Sequence, residues 1–129
     1  MPERKKLMKK VFGNVAKFTW KEISKVLSSE ISQILSRDII CNASPVDHDY
    51  WAVKLSSRIE RWELDCLVAV SGASAEDRNE TLGDEPPVNF ADLGLALSER
   101  LLMKALGYSW VAFHITEDYL WLLDITRKD

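Results

Sequence analysis

The chain has 129 residues, with 17 Lys and Arg against 20 Asp and Glu, a net charge of −3 and 47% hydrophobic residues. That length suits one domain, able to bury about two thirds of the surface its unfolded chain exposes, and the composition excludes collagen-like, low-complexity and wholly disordered classes. No uncharged apolar run approaches the roughly 18–20 residues needed to span a bilayer. The basic start has neither an apolar stretch nor a small-residue cleavage site behind it, so no secretory signal is expected and the expected compartment is the cytoplasm.

Residues 1–10 carry a net +4, which leaves −7 on the remainder. An acidic body disfavours broad nucleic-acid binding, because phosphate contact depends on a basic surface. Residues 1–18 read as a basic amphipathic segment of helical character: Leu7, Met8, Val11, Phe12, Val15 and Phe18 fall on one face, a pattern that suits packing on the domain, a partner or an anionic membrane. A single domain is expected over residues 19–129.

Thr19 and Glu22 have the spacing of a capping box, flanked by Phe18 and Ile23 at the staple positions. Ile23, Val26, Leu27, Ile31, Ile34 and Leu35 then make one apolar face, which predicts a helix over about 20–37. Ser24, Lys25, Ser28, Ser29 and Ser32 are assigned to its wet face.

A β-prone run follows at Ile39, Ile40 and Cys41, ended by residues 42–45. Trp51, Val53 and Leu55 alternate with Ala52 and Lys54. Trp62, Leu64, Cys66, Val68 and Val70 alternate with Glu63, Asp65, Leu67 and Ala69. Both stretches read as half-buried antiparallel strands, with Trp51 and Trp62 in the core and Lys54 facing Glu63 or Asp65. Cys41 and Cys66 lie inside this apolar text and read as reduced thiols.

Residues 71–87 lack apolar periodicity and predict a long loop carrying a net −4. A second helix is expected from Asn89, as cap, to a stop at Gly107. A terminal hairpin is expected from residues 109–115 and 119–125 about a turn at 116–118. It sets Trp110, Ala112 and His114 opposite Val111, Phe113 and Ile115, and Trp121 opposite Leu120 and Leu122. The whole is an α+β domain with a sheet of about five strands and two main helices, in the order α-β-β-β-α-β-β.

No nucleophile elbow, phosphate-binding glycine pattern or Cys/His cluster is present, and neither a cofactor nor a metal is expected. The leading expectation is a non-catalytic protein-binding module, an inhibitor or toxin-neutralising immunity-type protein that masks a basic partner. Glu76, Asp77, Glu80, Asp84 and Glu85 would steer that partner, with Trp110 and Trp121 as exposed aromatic contacts. In element order and acidity the chain also resembles the small acidic secretion chaperones, a resemblance that implies a homodimer holding effector segments. The third alternative is a metal-dependent hydrolase or nuclease built on Asp47, His48, Asp49 and Asp65.

Overall fold

The computed structural model describes residues 14–47, 50–73, 93–108 and 111–124. Among them the chain forms an α+β domain of three helices and five strands. These are β1 (Asn14–Thr19), α1 (Trp20–Leu35), β2 (Cys41–Pro45), β3 (Trp51–Leu55), α2 (Arg61–Ser71), α3 (Gly94–Leu106), β4 (Ala112–Ile115) and β5 (Tyr119–Asp124). The strands make two antiparallel sheets, one ordered β1-β5-β4 and one of β2 and β3 alone.

Residues 14–18, expected to close a helical arm, are instead a strand with period-two alternation. Ala16 and Phe18 lie on the core face and pair with Leu122 and Leu120, while Val15 and Lys17 lie on the other face opposite Leu123 and Trp121. The strand runs directly into α1. Thr19 closes its capping box as expected: its hydroxyl accepts from the Glu22 amide at 3.1 Å, and the Glu22 carboxylate accepts from the Thr19 amide at 3.2 Å.

α1 is the hub of the core. Ile23, Leu27 and Ile31 are fully buried, and the helix packs against β1, β2, α2 and α3. Lys25 and Ser29 are exposed, as expected of a wet face, whereas Ser24, Ser28 and Ser32 are not. Ser24, Ser28 and Ser32 line up along the edge of β2, and each accepts from a backbone amide there: Ala43 at 2.8 Å, Cys41 at 2.7 Å and Ile39 at 2.9 Å. The same hydroxyls lie 3.4, 3.2 and 3.0 Å from the carbonyl oxygens of those residues. Ser24 and Ser28 share their single proton with the carbonyls of Trp20 and Ser24 one turn back.

The match is geometric. Four helical residues rise ~6.0 Å and two strand residues ~6.7 Å, so hydroxyls at i, i+4 and i+8 stay in step with alternate strand residues for three contacts. One step further would set Trp20 against Pro45, where the helix has no hydroxyl and the strand has no N–H to offer. The strand therefore continues through the small residues 42–45, beyond the Ile39–Cys41 run that marked it in the sequence. Pro45 is tolerated at its end because that amide had no partner to lose.

The largest departure lies at residues 61–71, which form helix α2 in place of the expected strand. Leu64 and Leu67 are its buried residues, together with Glu63. Lys54 faces Asn42 across the hairpin, so the cross-strand pair expected with Glu63 or Asp65 does not exist. The observed order among the described residues is thus β-α-β-β-α-α-β-β, which differs from the order that carried the chaperone resemblance. α3 ends at Gly107, whose φ of 80° supplies the left-handed stop. Its expected cap at Asn89 and residues 74–87 of the acidic loop lie outside the described residues. The terminal hairpin turns at Thr116 as expected, with the Thr116 amide donating to the Tyr119 carbonyl at 2.9 Å. No helix among the described residues is long and apolar enough to cross a membrane.

Candidate functional site

Among the described residues, the polar groups that could carry chemistry are dispersed. Asp47 is exposed in the β2–β3 turn, where its Oδ1 accepts from the Tyr50 amide at 3.2 Å. Asp65 is exposed on α2, 3.8 Å from Arg61 on the same helix. His48 and Asp49 lie outside the described residues. Among the described residues no group of three or more His, Cys, Asp or Glu could hold a metal ion.

Glu63 has a structural role. Its side chain is 3% exposed, and Arg37 grips it twice, Nε to Oε2 at 2.6 Å and Nη2 to Oε1 at 2.9 Å. Oε1 also accepts from the Glu60 amide at 2.9 Å. Arg37 further donates to the Ser57 hydroxyl and the Arg58 carbonyl, so one guanidinium ties the end of α1 to the approach and first turn of α2. The Arg37 hydrogen bonds hold the Glu63 carboxyl below the usual carboxylate range, outweighing the burial that pushes it up.

Burial shifts two other groups among the described residues. Glu99, on α3, is held above the usual carboxylate range by burial, against the pull of the Trp51 indole and the Arg100 charge. The Trp51 N–H acts on that carboxyl without reaching good hydrogen-bond geometry. Trp51 itself stacks between Trp20 and Phe113, at 5.8 and 6.4 Å, a tilted aromatic ladder that joins the two sheets over the start of α1. Burial also pushes the Cys41 thiol up to about 12, which leaves it inert as a nucleophile. Cys66 is half-buried, and neither cysteine is in a disulfide.

The aromatic contacts expected from the sequence fall differently. Trp121 is 5% exposed, packed with Val15, Ala112, Tyr119 and Leu123 on the sheet face opposite the main core. Lys17 lies over the Tyr119 and Trp121 rings at 4.5 and 5.5 Å. Trp110 and the acidic set Glu76, Asp77, Glu80, Asp84 and Glu85 lie outside the described residues. Trp62, expected in the core, is 62% exposed.

Its exposure follows from the change of secondary structure. On a strand, Trp62, Leu64, Cys66, Val68 and Val70 share one face. On a helix, at 100° per residue, they divide: Leu64 turns into the core with Leu67, Cys66 and Val68 pack partly against that core, and Trp62 and Val70 stand on the outward side with Ala69 beside them and Cys66 at the border. Val70 is 43% exposed, Ala69 is exposed and Cys66 is half-buried. Arg61 and Asp65 border this stripe on one side. α2 is therefore apolar on two faces, of which the core covers one.

The other large exposed apolar side chains among the described residues are Ile40, Val46 and Tyr50, at opposite ends of the β2–β3 hairpin. The exposed polar residues Asn42, Ser44 and Lys54 stand between them, so they make no continuous patch. The outward face of α2 is the continuous one among the described residues, and sequence periodicity concealed it. Helical spacing of Leu64, Leu67 and Ser71, with Glu60 and Glu63 at capping-box spacing, was the available signal.

No protein-family model matches the chain, and comparison with curated proteins and with solved structures likewise returns no match.

Proposed function

We propose that the chain is a non-catalytic, cytoplasmic protein-binding module whose contact surface is the outward face of α2. One observation carries this reading: Trp62 stands 62% exposed at the head of an apolar stripe, on a helix whose other apolar face is already satisfied by the core. A solvent-facing tryptophan adds no burial to the fold, whereas in a contact it is the residue type that most often supplies the dominant anchor. Arg61 and Asp65 provide a polar border that keeps the stripe soluble when it is free. In its inhibitor form, the module would add the acidic set of residues 76–85 as a steering charge for a basic protein.

The test is site-specific photo-crosslinking in cells, with the reactive group at position 70 on the stripe or at the exposed position 25 on α1. The reading expects discrete adducts from position 70 that disappear in Trp62→Ala, and none from position 25. Equal adducts from both positions, or adducts that survive Trp62→Ala, would overturn it.

A further inference from the structure

We propose that the outward face of α2 pairs with the same face of a second copy of this chain, the two helices running antiparallel about a two-fold axis level with Asp65. The inference rests on the reading of α2 as a contact surface and adds what occupies it.

The argument is self-complementarity. An isologous contact requires one patch to fit its own reversed image. The stripe is graded in size, with the indole of Trp62 at its N-terminal end, the smaller exposed Ala69 and Val70 beyond it, and the core-packed, half-buried Cys66 at its border. Reversal about residue 65 brings position 62 opposite positions 66, 69 and 70 of the second copy. Each Trp62 then fills the shallow hollow between Cys66, Ala69 and Val70 of the other helix. A parallel pairing would instead oppose Trp62 with Trp62 and leave both hollows empty.

The border charges agree. In an antiparallel pair, matching flanks of the two helices face each other. Arg61 and Asp65 lie on one flank, within 3.8 Å of each other on their own helix. After reversal Arg61 also lies one helical turn, ~6 Å of rise, from Asp65 of the second copy. Each arginine can serve both carboxylates, so opposite charges alternate along the rim. Antiparallel helix dipoles add a small favourable term. The contact is one helix face wide, at the small end of specific interfaces, so association in the micromolar range is expected.

Sedimentation velocity on the full chain at about 100 μM, above the dissociation constant expected of so small a contact, separates the outcomes. Wild type is expected to sediment as a dimer. Trp62→Glu removes the anchor, and Asp65→Arg places four positive charges on the shared rim; each is expected to weaken association at least about tenfold. The double exchange Arg61→Asp with Asp65→Arg restores opposite charges across the axis and is expected to restore the dimer. All three positions are exposed, so folding, checked by circular dichroism, should survive. A monomeric wild type, a dimer indifferent to Trp62→Glu, or a double exchange no better than Asp65→Arg overturns the proposal. A monomer whose position 70 still crosslinks a different protein would overturn the self-pairing alone and leave the contact reading intact.

Discussion

Helices α1 and α2 carry opposite mismatches between side-chain polarity and surroundings. Three of the four serine hydroxyls of α1, which amphipathic logic sends to water, are turned inward to seal the edge of β2 and the residues that lead into it. The apolar side chains of α2, which the same logic sends to the core, face water at Trp62 and Val70. Polarity alone does not decide burial. A hydroxyl is stable against a strand edge when both its donor and acceptor capacities meet backbone groups, and an apolar side chain stays outside once the core has no room or need for it. The first arrangement stabilises the fold. The second leaves a surface that contributes to function without contributing to stability.

Substitutions that invert the usual expectation break this comparison most clearly. Ser28→Ala leaves the Cys41 amide and carbonyl without their hydroxyl partner. Each such orphan costs ~1–3 kcal/mol, partly offset by the ~0.5 kcal/mol that alanine gains as a helix former, so a net loss of about 1.5–5.5 kcal/mol is expected in urea denaturation. Ser29→Ala, one residue along on the exposed side, should change stability by less than ~0.5 kcal/mol. Equal effects at the two positions would show that the hydroxyl edge seal contributes nothing.

Glu63→Gln comes next. It leaves the Arg37 fork facing a neutral amide, and because Arg37 is 37% exposed the expected cost is about 1–2 kcal/mol, below the figure for a fully buried pair. Its pH dependence has a definite sign. The folded carboxyl titrates below the ordinary value, so its stabilisation is complete above the unfolded pKa of ~4.3 and is lost as pH falls through the folded value. Wild type should therefore lose more stability than Glu63→Gln across that acid range. Parallel pH profiles would contradict the pairing.

Trp62→Ala should have the smallest effect on the fold, within about 0.5 kcal/mol in the same assay when measured on dilute protein, although it removes the largest side-chain type. A loss comparable to that of a core tryptophan, ~3–5 kcal/mol, would mean that the ring is buried in solution.

Local signals were legible in the sequence where they are local in the structure. The Thr19–Glu22 capping box, the stop at Gly107, the turn at Thr116 and the inward face of Trp51 each depend on a few adjacent residues. Residues 62–70 defeated periodicity because their alternation was produced by two different faces. Leu64 is there for the core and Trp62 and Val70 for the outside, and a period-two reading merges them while placing Leu67, a fully buried residue, on the polar side. The serine ladder was illegible for a different reason. Its register depends on β2 lying alongside α1, a tertiary fact that the four-residue spacing of Ser24, Ser28 and Ser32 permits and does not require.

Coverage of the outward face of α2 is read most directly from the rate of Cys66 alkylation in the native protein as a function of protein concentration. Cys66 is half-buried at the border of the outward face, packed in part against the core, and the inertness of Cys41 makes it the reporting thiol. One adduct per chain is expected, formed fastest in dilute protein and progressively more slowly as concentration rises and the stripe is covered, with the protection abolished by Trp62→Glu. A rate independent of concentration, or protection that persists in Trp62→Glu, would contradict it.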